Sequence, residues 1–309
     1  MPNTNILKWL LDGDVSIQYQ TYRDLLNEDR PDLRERIASE GWGAQFLAQR
    51  QANGHWGKAF YNPKWTSTHY TLLDLCNLGI APDLLEIQAS IALILQLEKG
   101  RGGGINPSGT QSVSDVCING MFLNYAAYFQ TDAGELEPVV DFLLTQIMPD
   151  GGFNCRHNRS KVVHSSLHST LSVLEGIQRY AEQGYQYRLA ELQAAQRSST
   201  EFILLHQLFR SDHTGNIINS NFLKLCYPSR WKYDILRALD YFQGAHSPWD
   251  GRIRPAIEVL LQKRNPDDTW NLAAKHPGQV HFDMERAGKP SRWNTLRALR
   301  VLKHFDLEA

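Results

Sequence analysis

Along the chain, apolar positions recur at helical spacing in runs of seven to ten residues. "YQTYRDL" from Tyr19, "HYTLLDL" from His69, "CINGMFL" from Cys117, "HSTLSVL" from His168, "WKYDILRAL" from Trp231 and "WNTLRALRVL" from Trp293 can be laid over one another. Before each but the first comes another amphipathic stretch, and between the two lies a turn signal. The turns are "QANGHW" at 51–56, "GRGGGI" at 100–105, "MPDGGF" at 148–153, "SDHTGNI" at 211–217 and "NPDDTW" at 265–270. Each puts Gly, Asp or Asn beside a bulky apolar residue, which reads as a helix stop followed by an anchor that packs back on the core. The pattern predicts an all-α fold: helical hairpins closed in a ring, with about six inner helices, each but the first preceded by an outer helix. Strand alternation and capping repeats are absent, which argues against β-rich folds and open solenoids. One domain spans 1–309. In such a ring the starts of the inner helices line one rim, so Tyr19, His69, Cys117, His168, Trp231 and Trp293 are expected at equivalent positions.

Composition narrows the function classes. Of 309 residues, 42% are hydrophobic and 21% charged, and the formal net charge is −1. No global field steers the chain to nucleic acid. Cys76, Cys117, Cys155 and Cys226 form no CxxC pair and are expected as reduced thiols. The start "MPNTNILKWLLDGD" has no secretory pattern, and the longest apolar stretch, around "IALILQL", is too short for a membrane span. A cytoplasmic protein is expected.

The turn-plus-aromatic repeat ("QANGHW", "MPDGGFN", "NPDDTW") resembles that of the terpenoid cyclase and protein prenyltransferase superfamily. The resemblance covers the chain from about Asp14 to Phe305. It looks closest to bacterial single-chain members described as prenyltransferase-like or squalene-cyclase-like, whose flavour "FDMERAGKPSRWNTLRALRVLK" also carries. It implies an α/α toroid with a small apolar, isoprenoid-type ligand in a central cavity. The acid motif of class II terpene cyclases, Asp-x-Asp-Asp, is absent; "DGD" at 12–14 and "PDD" at 266–268 read as turns. Prenyltransferase β-subunits hold zinc with an Asp-x-Cys at the start of one inner helix and a His in the next repeat. Asp115-Val116-Cys117 and His168 match that pattern, with His164 or His69 as alternative ligands. The resemblance therefore implies zinc as cofactor and activation of a thiol as thiolate. The usual diphosphate grip is missing, because "NPSGTQSVS" upstream has no Lys or Arg and Ile118 follows the Cys. Arg156, Arg159 and Lys161, or Arg230 and Arg292, are the other cations on offer. The β-subunits also work with a helical α-subunit partner, which this sequence does not indicate.

The same residues have plainer readings. Ser114 or Asp115 would cap a helix and Cys117 would pack as a small apolar residue. His164 and His168, one turn apart, would be polar lining. Trp65, Trp231, Trp293, Tyr19, Tyr70 and Tyr227 would wall a cavity or pack as core, while Trp56 and Trp270 are turn anchors. His206, Asp212 and His213 read as turn chemistry. Two other functions stay open. One is a glycan-active (α/α)6 enzyme using Asp115 with Asp234 or Asp283. The other is a non-catalytic toroid that binds a lipid or a partner.

Overall fold

The structure, a computed structural model, describes residues 3–107, 113–160 and 162–307, without the side chains of residues 158 and 159. Arg159 and Lys161 therefore lie outside the description. The chain is all-α, as its pattern predicts; the strands among the described residues are the two-residue pair β1 (Trp270–Asn271) and β2 (Pro290–Ser291). Fourteen α-helices are described: α1 (Thr4–Leu11), α2 (Val15–Thr21), α3 (Pro31–Arg36), α4 (Gly41–Leu47), α5 (Thr68–Leu78), α6 (Leu85–Leu97), α7 (Val116–Tyr128), α8 (Ala133–Thr145), α9 (His157–Ser160), α10 (Leu167–Glu182), α11 (Leu189–Leu205), α12 (Ile235–Gly244), α13 (Arg254–Gln262) and α14 (Arg292–His304). No helix among the described residues is long and apolar enough to cross a membrane.

Packing divides the chain into two compact units. The first comprises Met1–Gln49, Asn77–Ala81 and Leu205–Ala309; the second comprises Arg50–Cys76 and Pro82–Leu204.

The turns explain why the helices stop. In "QANGH" the Gln51 N–H donates to the His55 carbonyl at 2.8 Å and the Gly54 N–H returns to the Gln51 carbonyl at 2.9 Å. The same pair of bonds joins Gly100 with Gly104 and Gly103 (2.7 and 3.1 Å), Met148 with Gly152 and Gly151 (3.0 and 2.9 Å), and Asn265 with Thr269 and Asp268 (2.8 and 3.0 Å). The fourth residue is left-handed each time: φ is 85° at Gly54, 92° at Gly103, 90° at Gly151 and 64° at Asp268. Glycine takes that conformation at no steric cost and Asp tolerates it. The anchors Trp56, Ile105, Phe153 and Trp270 that follow are buried. The copy at 211–217 departs: it is one residue longer, with Ser211 bonded to Asn216, and its anchor Ile217 is 45% exposed.

In the second unit α7 packs along α10. Every residue of α7 is buried except Cys117, as suits a helix apolar on all sides. The two backbones meet at glycines. A Cβ on Gly176 would stand 2.4 Å from the Gly120 carbonyl oxygen, and one on Gly120 would stand 2.6 Å from that of Ser172. In the first unit α14 packs on α12 and on α2. A half-buried ion chain ties α14 to α12 and to the turn that follows α2: Arg300 reaches Asp240 at 2.6 Å and Asp24 at 2.8 Å, and Arg297 shares Asp240 at 3.1 Å.

Candidate functional site

In four helices one bond ties the start of the helix to the preceding turn. The anchor's backbone N–H donates to a side chain in the helix: Trp56 to Thr68 Oγ1 (3.0 Å), Ile105 to Asn119 Oδ1 (2.7 Å), Phe153 to Thr170 Oγ1 (3.0 Å) and Trp270 to Thr295 Oγ1 (3.0 Å). Counted from that bond, Cys117, His168 and Trp293 are equivalent, each two residues before the acceptor and each second in its helix. In α5 the acceptor Thr68 is the first residue, so the position matching them by that bond is Thr66, two residues before the helix, while His69 is second in α5 as they are in their helices. Tyr19 is fifth in α2. Trp231 lies four residues ahead of α12, because Asp234, not Ser229, caps that helix by accepting the Arg237 N–H at 2.9 Å. The shared "SRW" thus lies in a turn in its first copy, whereas in its second Ser291 is the cap, accepting from Asn294 at 3.0 Å.

His69 is an ionisable group enclosed within the second unit. It is fully buried, and its ring centre lies 5.3 Å from that of Phe60, 5.5 Å from Tyr61, 4.9 Å from Tyr70 and 5.6 Å from Tyr125. Nδ1 is 3.1 Å from the Tyr125 hydroxyl, and Nε2 has no hydrogen-bonding partner. Burial, then the Lys64 charge, pushes the imidazole down to about 3, so it is neutral. Burial also raises Tyr125, which keeps its proton. The aromatic surround continues outward: Tyr61 and Tyr70 hydroxyls meet at 2.9 Å, and Trp65 sets its edge on Tyr70 at 4.8 Å.

The start of α7 holds a sulfur pair that the sequence did not flag. The Cys117 N–H donates to Cys155 Sγ at 3.2 Å, the Ser169 hydroxyl donates to it at 3.3 Å, and the Cys117 thiol also donates to it. These bonds, with Cys117 leading, lower Cys155 against its burial, while Cys117, as donor to Cys155 and removed from solvent on that side, is pushed up. Of the two sulfurs, Cys155 is the one whose thiolate form the bonds favour. No spacing motif could have paired cysteines 38 residues apart.

The other expected ligands are placed as follows. Asp115 is the N-cap residue of α7, yet its carboxylate makes no capping bond; its carbonyl receives the Asn119 side chain at 3.0 Å. Ser114 instead donates to the Ile105 carbonyl and receives Asn119 at 2.8 Å. His168 is half-buried, and its carbonyl accepts from Ser172 at 3.0 Å. His164 is exposed, and its carbonyl accepts from Asn154 at 2.7 Å. Among the described residues, no three His, Cys, Asp or Glu side chains are placed to hold a metal ion. Cys117 is turned to Cys155.

In the first unit, Tyr19 is buried beneath Arg23 and Arg34, whose guanidinium carbons lie 5.4 and 5.9 Å from its ring centre. Trp231 is half-buried with Lys232 Nζ 3.8 Å above its ring. Arg292 donates to the Trp9 carbonyl at 2.9 Å and stacks on that ring at 4.6 Å, so it serves packing. Arg230 is buried, with a left-handed φ of 57°. Of the carboxylates named for glycan chemistry, Asp283 is an exposed partner of Lys275 at 2.6 Å. Asp234 is buried at the α12 cap, where burial raises it to about 6 against the charges of Arg297 and Arg237. His206 and Asp212 stand 3.6 Å apart in the 211–217 turn region.

No family model matches the chain, and no curated protein does. Among solved structures, it is similar to a variant of the type II terpene cyclase MstE from Scytonema in complex with its product, merosterolic acid A. The two share 13% identity at a TM-score of 0.32, with 93% of this chain and 98% of that chain covered. At that score and identity the neighbour carries nothing about chemistry.

Proposed function

We propose that the chain is a prenyltransferase-like or terpenoid-cyclase-like protein whose second unit binds a small apolar, isoprenoid-type molecule beside His69. The observation that carries this reading is the His69 Nε2, fully buried and without a hydrogen-bonding partner inside a surround of Phe60, Tyr61, Tyr70 and Tyr125. An unmet buried polar atom costs about 1–3 kcal/mol, which a hydroxyl or carbonyl of a ligand would offset. The rings suit an apolar chain, and their faces would stabilise a cationic centre formed on it. His69 is the polar handle and Tyr125 fixes its ring. No step is routed through zinc, and elemental analysis of dialysed wild-type protein beside Cys117→Ala reads that half of the resemblance directly.

The test is a fluorescence titration with a neutral isoprenoid alcohol such as farnesol, with a linear alkanol of equal carbon number as control. Saturable binding of the isoprenoid, weakened at least tenfold in His69→Phe, is expected. Absence of saturable binding, or equal binding by the variant, would overturn the assignment.

A further inference from the structure

Three rings of the first unit form a stack. Trp293 lies between Trp42, 6.1 Å away at 28°, and Tyr227, 4.7 Å away at 25°. Trp293 is 1% exposed and its Nε1–H has no acceptor. Arg297 follows four residues later, on the same face of α14. It is 4% exposed; its Nε donates to Asp240 at 3.1 Å and its guanidinium carbon lies 5.6 Å from the Tyr227 ring centre. Its Nη1 also has no acceptor. Two buried donors without acceptors, one of them cationic, are expensive anywhere in a protein. Here they share one helix face and one neighbouring ring.

The surroundings add positive charge. Arg230 and Arg237 are each 6% exposed. Burial first, then the charges of Lys232, Arg230 and Arg237, hold His276 down at about 4. The acids near α14 are engaged, Asp234 by the charges of Arg297 and Arg237 and Glu285 by Ser291 and the Arg292 N–H. Asp240 is taken by Arg297 and Arg300, and Asp234 caps α12.

We propose that the first unit binds a small organic oxyanion, a carboxylate or a phosphate, whose oxygens accept from Trp293 Nε1 and Arg297 Nη1. Arg230 and Arg237 supply the attracting field. Arginine suits the task because its planar donors match oxyanion geometry. The proposal uses no residue of the His69 surround, so it and the isoprenoid reading can fail separately.

The experiment titrates the full-length protein with inorganic phosphate, inorganic diphosphate and 3-methylbutanoate at constant ionic strength, read by tryptophan fluorescence and by melting temperature. Trp293→Phe keeps the stacked ring and removes only the N–H. Arg230→Gln is the second variant, used if circular dichroism shows Trp293→Phe to be unfolded. Saturable binding of at least one anion by wild type, weakened at least tenfold in the folded variant, is expected. The phosphate and carboxylate arms then identify the head group. Saturable binding of none of the three, or binding that the folded variant leaves unchanged, would overturn the proposal.

Discussion

Thr170 shows how much of this fold hangs on single polar atoms. Its hydroxyl oxygen accepts the Phe153 N–H at 3.0 Å, fixing the third turn to the start of α10, and Thr295 does the same for Trp270. Valine has the same shape without the acceptor, so the substitution leaves a buried N–H unmet. We expect Thr170→Val and Thr295→Val each to cost about 1–3 kcal/mol in urea unfolding, while exposed Thr214→Val changes stability by under about 0.5 kcal/mol. Equal midpoints for all three would mean the anchor bonds do not set the helix starts. The turn glycines were readable in the sequence because left-handed backbone is a local demand met by a local residue. The Cys155 sulfur was not, because its donors arrive from α7 and α10, and only the folded chain brings them together.

At the scale of elements, α7 crosses α10 with the two backbones in contact at glycines. The Cβ of Gly176→Ala would meet the Gly120 carbonyl oxygen at 2.4 Å, backbone against backbone, with no flexible side chain to yield. Gly176→Ala should therefore cost about 3 kcal/mol. Gly244, in α12, has nothing within 4 Å of its added Cβ. Gly244→Ala should be neutral or stabilising by up to about 1 kcal/mol, since alanine is the better helix former. Denaturant midpoints with unchanged slopes check both. Helix existence followed from periodicity, but one helix start did not. The literal repeat of "SRW" at 229–231 and 291–293 pointed to equal registers, whereas Asp234 outcompetes Ser229 for the cap because its carboxylate reaches the Arg237 N–H. In α5 the anchor bond falls on the first residue, Thr68, and not on the fourth as in α7 and α10, so His69, though second in its helix like Cys117 and His168, follows the bond and is buried.

The whole molecule unfolds with a pH dependence to which these sites contribute with opposite signs. His69, pushed down to about 3, and His276 and His281, each pushed down to about 4, stay neutral when folded, whereas the unfolded histidines take up protons below about 6.5. Their contribution is absent above that pH and becomes increasingly destabilising below it. Asp234, raised to about 6, opposes them by taking its proton in the folded state first. For His69 alone the loss is about 1.4 kcal/mol per pH unit, so wild type should lose about 2 kcal/mol more than His69→Phe between pH 7 and pH 5. Parallel stability–pH curves for the two proteins would show that His69 titrates normally.

The central claim is that His69 Nε2 receives a ligand, and imidazole NMR observes that atom directly. In protein selectively labelled with 15N-histidine, the resonance absent from His69→Phe identifies the ring. Farnesol should move its Nε2 saturably with the affinity seen by fluorescence, while exposed histidines such as His164 and His213 stay fixed. An unmoved His69 Nε2 at saturating isoprenoid would contradict the account.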